Sequence, residues 1–146
     1  MKTSRGSNHN CNNVLGDIIL QKNKINKWKI KLKKYSNTNY DSTILIGISP
    51  SNLNQNKKNT YNKTWTLICW SSKISIKSGS QTEYKGNKGR LKEGDIIEVI
   101  MNTINGELSF SVNDENYGVA CKIPIDIDLS PFVHFYKEGD SIELLN

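Results

Sequence analysis

The sequence predicts an all-β fold, either a sandwich or a barrel. Three observations carry that prediction. Apolar and polar residues alternate with a period of two along most of the chain, the segments between are built from Gly, Asn and Asp, and no helix-length window shows an amphipathic 3.6 period.

The first twelve residues, Met1 to Asn12, are polar and aperiodic and are expected to form a flexible tail ahead of one domain over 13–146. Within that domain Trp28, Ile30 and Leu32 alternate with Lys27, Lys29, Lys31 and Lys33. This is the pattern of a half-buried strand with its lysines in water. Further strands are expected at Ile44–Ser49, Trp65–Trp70, Ile74–Lys77, Ile96–Met101, Leu108–Val112, Tyr117–Cys121, Phe132–Tyr136 and Ile142–Leu145. Their β-branched and aromatic side chains fit a pleated, half-buried surface.

The separators are turn chemistry. Asn105-Gly106 predicts a type I′ hairpin, because both residues accept positive φ. Asn113-Asp114-Glu115-Asn116 closes the following hairpin, and Glu93-Gly94-Asp95 and Glu138-Gly139-Asp140 each introduce a strand. The longest connection is Pro50–Lys63, a run of Ser, Asn, Gln and Lys with one aromatic, Tyr61. A loop of that length is either functional or a disordered connector.

Composition removes several classes of function. The chain has 146 residues and a formal charge of +6. No apolar run approaches the length of a membrane span, and no apolar segment follows the N-terminus, so neither membrane insertion nor secretion is expected. Cys11, Cys69 and Cys121 are odd in number and widely spaced, which argues for a reducing, cytoplasmic setting. With only His9 and His134 besides, the clustering that a zinc site needs is missing, and no metal or other cofactor is expected. His134, among aromatics, reads as a structural histidine.

The charge is uneven. Residues 1–63 hold twelve Lys/Arg against two Asp/Glu, and residues 64–146 hold eight against twelve. Lysines repeating along one strand face can follow a phosphate backbone or an anionic lipid surface. A nucleic-acid groove interleaves stacking aromatics with its charges, however, and Trp28 alternates away from the lysines. Exposed lysines also guard a sheet against edge-to-edge association, and a solvated face is the expectation.

Catalysis has one hook. Glu93, Asp95 and Glu98 fit the E-x-D-x-x-E spacing of laminarinase-type glycoside hydrolases, in which two carboxyls on one strand face act as acid and nucleophile. The same spacing recurs at Glu138, Asp140 and Glu143, which marks it as turn-then-strand punctuation. No serine sits in a nucleophile elbow and no glycine run has P-loop spacing. The chain is expected to be non-catalytic.

The C-terminal half resembles the SPRY (B30.2-type) domain family. The residues that carry the resemblance are Gly94-Asp95-Ile96-Ile97, Asn105-Gly106-Glu107-Leu108-Ser109-Phe110-Ser111-Val112-Asn113, Tyr117-Gly118-Val119-Ala120 and Leu129-Ser130-Pro131-Phe132-Val133. Upstream, Val14-Leu15-Gly16-Asp17, Lys27-Trp28-Lys29-Ile30 and Ile46-Gly47-Ile48 are similar to its earlier strands, so the likeness runs over 14–145. It implies an antiparallel two-sheet β-sandwich, a concanavalin-like jelly roll without catalytic residues. It also implies an adaptor role, with edge loops that take a peptide or protein surface, often beside other domains of a larger parent protein.

On this sequence the family's contact loops map to Ser49–Lys63 and to Tyr136–Lys137. Tyr61, Tyr84 and Tyr136 are the expected amphipathic anchors. Ser49, Ser51, Asn52, Asn54 and Asn62 supply polar readout, and Lys137 biases the site toward an acidic ligand. The alternatives are a lectin-like carbohydrate-binding sandwich, or RNA or anionic lipid on the basic face.

Overall fold

The computed structural model describes residues 2–5, 12–35, 44–53, 63–71, 73–76, 80–84 and 89–145, with the chain path alone at 2–5, 12–13, 74–76 and 80. Twelve strands follow in order: β1 (Lys2–Arg5), β2 (Asn12–Leu15), β3 (Ile25–Lys34), β4 (Ile44–Pro50), β5 (Trp65–Ile68), β6 (Lys73–Ile76), β7 (Ser80–Thr82), β8 (Ile96–Asn102), β9 (Glu107–Val112), β10 (Glu115–Lys122), β11 (Leu129–Phe135) and β12 (Ser141–Leu145). They form a seven-stranded sheet in the order β1-β2-β11-β4-β5-β6-β7 and a five-stranded sheet in the order β10-β9-β8-β3-β12. The pairings are antiparallel, and the architecture is the two-sheet sandwich that the alternation and the family resemblance lead to.

In the five-stranded sheet the period-two rule operates most cleanly in β8 and extends to the inward residues of its neighbours β3 and β9. Ile30 and Leu32 of β3 point inward beside Ile97, Val99 and Met101 of β8 and Leu108, Phe110 and Val112 of β9, and all are buried. From the other sheet Ile44, Ile46 and Ile48 of β4 and Trp65 and Leu67 of β5 meet them in one core. Strands β4 and β11 differ, because nearly every residue in them is buried on either face. The continuous run Ile44-Leu45-Ile46-Gly47-Ile48 is the signature of a strand covered on both sides. Leu15, Leu45, Ile68 and Phe132 are buried apart from the main core cluster.

Two expectations change. Lys2–Arg5, within the segment read as a tail, pairs with β2 through Lys2↔Leu15 to Arg5↔Asn12, a backbone ladder that needs no apolar periodicity. The type I′ hairpin also lies elsewhere. Asn105-Gly106 belongs to a four-residue connection between Asn102 and Glu107 in which only Gly106 has positive φ. The two-residue loop with both φ values positive is Asn113-Asp114, at 50° and 66°, closed by Val112↔Glu115. Tertiary bonding decides this. Thr103, at the start of the longer connection, is buried and tied to the β2–β3 segment, so that connection cannot shrink to two residues.

Candidate functional site

Strands β4 and β11 run antiparallel with Leu129 opposite Pro50 and Phe135 opposite Ile44. That register fixes the two ends of the sandwich. At one end lie the exits of β2 and β4, the start of β3 and the connection from β10 to β11. Leu20 N donates to Leu129 O at 2.8 Å there, and Ser51 N donates to Asp128 O at 2.9 Å. At the opposite end lie the exit of β11, the β5–β6 turn and the entry to β8, where Leu91 N donates to Cys69 O at 2.9 Å and Gly94 N to Leu32 O at 2.7 Å.

The residues expected to form one site are divided between these ends. Ser49 is buried, and its hydroxyl donates to Pro50 O at 3.0 Å. Ser51 is half-buried and Asn52 exposed, and both line an open cleft of about 420 Å³ with Pro50, Ile127 and Asp128. Tyr136 and Lys137 lie beyond Phe135 at the other end, the length of β4 away, roughly 20 Å for a strand of this size. Tyr136 is half-buried with its ring edge-on to His134 at 4.5 Å, and Lys137 is exposed. No small ligand spans both groups. Asn54, Tyr61 and Asn62 lie outside the described residues.

Tyr84 is not a surface anchor. Its ring is buried edge-on to Phe110 and Tyr117, with centroids 6.2 and 5.8 Å away. The Phe110 amide donates to its hydroxyl at 3.1 Å, and the hydroxyl in turn donates to Gly118 O. Gly118, at φ +85°, stands where the β9–β10 register breaks, so Tyr84 completes a ladder that the bulge interrupts. Burial pushes its phenol up to about 12. The polar stretch around Tyr84 in the sequence hid this role.

Two carboxylates of the hydrolase-like spacing, Glu93 and Asp95, are engaged in hydrogen bonds with the local backbone and Asn113. Asp95 is buried, with Oδ2 accepting Lys92 N at 2.8 Å and Oδ1 accepting Asn113 Nδ2 at 3.0 Å. Asn113 Oδ1 accepts Ile96 N at 2.9 Å, and Glu93 Oε2 accepts Tyr35 N at 3.3 Å. These groups close the turn into β8. Among the described residues no group of three His, Cys, Asp or Glu side chains could hold a metal. No helix among them is long and apolar enough to cross a membrane. Cys69 and Cys121 are free thiols, and burial pushes Cys121 up to about 11.

The lysine face is balanced by acids. Glu98 lies opposite Lys29, and Glu143 opposite Lys31, in the sheet register. Lys33 Nζ stands 3.3 Å from Glu143, and Lys29 Nζ 3.7 Å from Asp114. Such exposed pairs contribute only ~0–1 kcal/mol each, but they interrupt a continuous positive stripe.

The SPRY domain family model matches residues 26–145. The chain belongs to the SPRY domain family. The SPRY domain of human HERC1 superposes with a TM-score of 0.77 at 18% identity, covering 99% of this chain and 86% of that one. A second human SPRY domain superposes with a TM-score of 0.74 at 14% identity, covering 97% and 88%. At such identities the likeness is one of fold. No curated protein sequence matches. SPRY domains are generally protein-interaction modules rather than enzymes. In this SPRY domain the Gly-Asp, Asn-Gly and Gly-Val-Ala motifs are the β8 entry, the β8–β9 connection and the β10 bulge, all parts of the frame.

Proposed function

We propose that this SPRY domain is a non-catalytic adaptor that takes a peptide or protein surface at the β4-exit end, in the cleft beside Ser51 and Asn52. The observation that carries the reading is the geometry of that cleft. One wall, Pro50–Ser51, is fixed by the Ser51–Asp128 backbone bond, whereas the Asn52 amide stands in solvent at the rim. A rigid wall with an exposed amide can read a backbone at small ordering cost. The long β4–β5 connection begins at Ser51, on this wall of the cleft, and connections of this kind often carry binding residues. The reading also sets the domain in the cytoplasm, where free thiols stay reduced. Imaging of a tagged chain tests the location, and exclusion from the cytoplasm would refute it.

Affinity capture with mass spectrometry, using wild type, Asn52→Arg and Tyr136→Ala, tests the site. The expected result is a partner lost in Asn52→Arg and kept in Tyr136→Ala. The reverse pattern moves the site to the opposite end, and equal capture by all three removes both.

A further inference from the structure

Three of the seven large apolar side chains exposed among the described residues gather at one place that the fold does not explain. Ile18 is 63% exposed, Ile19 54% and Ile25 48%, and all three line an open groove of about 570 Å³ between the β2–β3 connection and the start of β3. Trp28 lies in the groove, and Lys24 and Lys27 stand at its side. Ile104, 59% exposed, follows Thr103 on the neighbouring connection.

The groove wall is built rather than loose. Gln21 N donates to Asn26 Oδ1 at 3.0 Å, and Asn26 Nδ2 donates back to Gln21 O at 3.0 Å. The buried Thr103 hydroxyl accepts Lys24 N at 3.0 Å and donates to Gln21 O at 2.7 Å, with Lys24 O 2.9 Å away. Lys22 reaches across to Ile125 O at 3.0 Å and to Asp128 at 3.8 Å. Three isoleucines are thereby held in water on an ordered backbone, the arrangement of a preformed binding surface.

Charge selects the occupant. Lys22, Lys29 and Lys33 each face a carboxylate, but among the described residues Lys24 and Lys27 have no acidic partner and no acid lines the groove. We propose that this groove binds an acidic polypeptide segment that seats large apolar side chains on Ile18, Ile19 and Ile25 while its carboxylates meet Lys24 and Lys27. A second copy in a two-fold contact would set this lysine pair against itself. A bilayer surface is flat and does not fill a recess. The groove shares this end of the sandwich with the Ser51–Asn52 cleft, with Lys22 standing between them against Asp128. The two share none of the lining residues described, and the proposal stands independently of the function proposed above.

Selection of random twelve-residue peptides displayed on phage against the full chain tests it, followed by fluorescence-polarisation titration of the synthetic winners. Enriched sequences should combine Leu, Ile or Phe with Asp or Glu. Their affinity should fall at least tenfold in Ile19→Asp and in the Lys24→Glu, Lys27→Glu pair, and stay unchanged in Asn52→Arg. Melting temperatures are followed in parallel, and should Ile19→Asp unfold, the exposed lysine pair carries the test. The proposal is overturned by absence of enrichment, by winners without acidic residues, or by indifference to the lysine pair. Binding to phosphatidylserine vesicles in place of peptide, or self-association abolished by Ile19→Asp, would overturn it equally.

Discussion

The hydroxyl of Tyr84 donates to the carbonyl oxygen of Gly118 at the β10 bulge while it accepts the Phe110 amide. One buried phenol therefore replaces the ladder bond that the register shift removes. Tyr84→Phe removes the acceptor of the buried Phe110 amide and the donor to the Gly118 carbonyl. It should cost about 1–3 kcal/mol in urea unfolding and accelerate amide exchange at Phe110. A variant as stable as the wild type would show that the phenol is not needed at the bulge.

The same group gives an alkaline signature. Burial raises the folded phenol to about 12, against 10.0 for the free group. The unfolded chain loses this proton first, so the contribution is complete below pH 10 and is lost as pH rises toward 12, at about 1.4 kcal/mol per unit. Tyr84→Phe should flatten that stretch of the stability curve. Parallel curves for the two proteins would contradict the assignment.

His134 works on the acid side. Burial pushes its imidazole down to about 4 from 6.5, so the folded state holds it neutral. The unfolded chain takes up a proton below pH 6.5. Stability is complete above that value and is lost as pH falls toward 4, by about 1.4 kcal/mol per unit. Denaturant midpoints at pH 7 and pH 5 should differ more for wild type than for His134→Gln. Equal differences would mean that the imidazole titrates normally in the fold.

Two glycines should respond differently to the same methyl group. A Cβ on Gly47 would sit 2.0 Å from Trp65 O and 2.8 Å from Thr66 Cα, both backbone, so β4 and β5 must separate. Gly47→Ala should cost more than about 3 kcal/mol, beyond the usual range for one substitution. At Gly94 the added carbon meets nothing within 4 Å, and only the φ of +93° resists it. Gly94→Ala should cost about 1–2 kcal/mol. Comparable losses measured by chemical denaturation would refute the steric account of Gly47.

The Asp95–Asn113 contact joins the entry of β8 to the β9–β10 turn. Asp95→Ala and Asn113→Ala should each destabilise by about 1–3 kcal/mol. Because they share one network, the double variant should cost less than the sum, with a coupling of about 0.5–3 kcal/mol. Strict additivity in a double-mutant cycle would mean that the two side chains act independently.

How much was legible in the sequence follows from the range of each signal. The alternation of Trp28, Ile30 and Leu32 with lysines is local, and β3 lies where it points, somewhat longer at both ends. Gly94 and Gly118 owe their place to backbone angles that a short motif encodes. The site was not legible in the same way, because strand partners are set by contacts distant in the chain. Ser51 and Tyr136 can be assigned to opposite ends only once Pro50 is known to face Leu129. Tyr84 stood in a polar stretch that concealed its packing on Phe110 and Tyr117. Ile18-Ile19-Leu20 did offer a signal, an apolar run with no alternation and no strand to absorb it.

The pairing of β4 with β11 has a consequence in time. These strands lie at the centre of the seven-stranded sheet, yet come from the first and last thirds of the chain. Their ladder forms only after most of the polypeptide has closed into a loop, and topologies rich in such distant pairings fold in milliseconds to seconds. During that interval the run Ile44-Leu45-Ile46-Gly47-Ile48 has no partner and is free to join the same run of another nascent chain. Yield on refolding should therefore fall with protein concentration more steeply than final stability would suggest, and dilution or a chaperone that shields β4 should restore it.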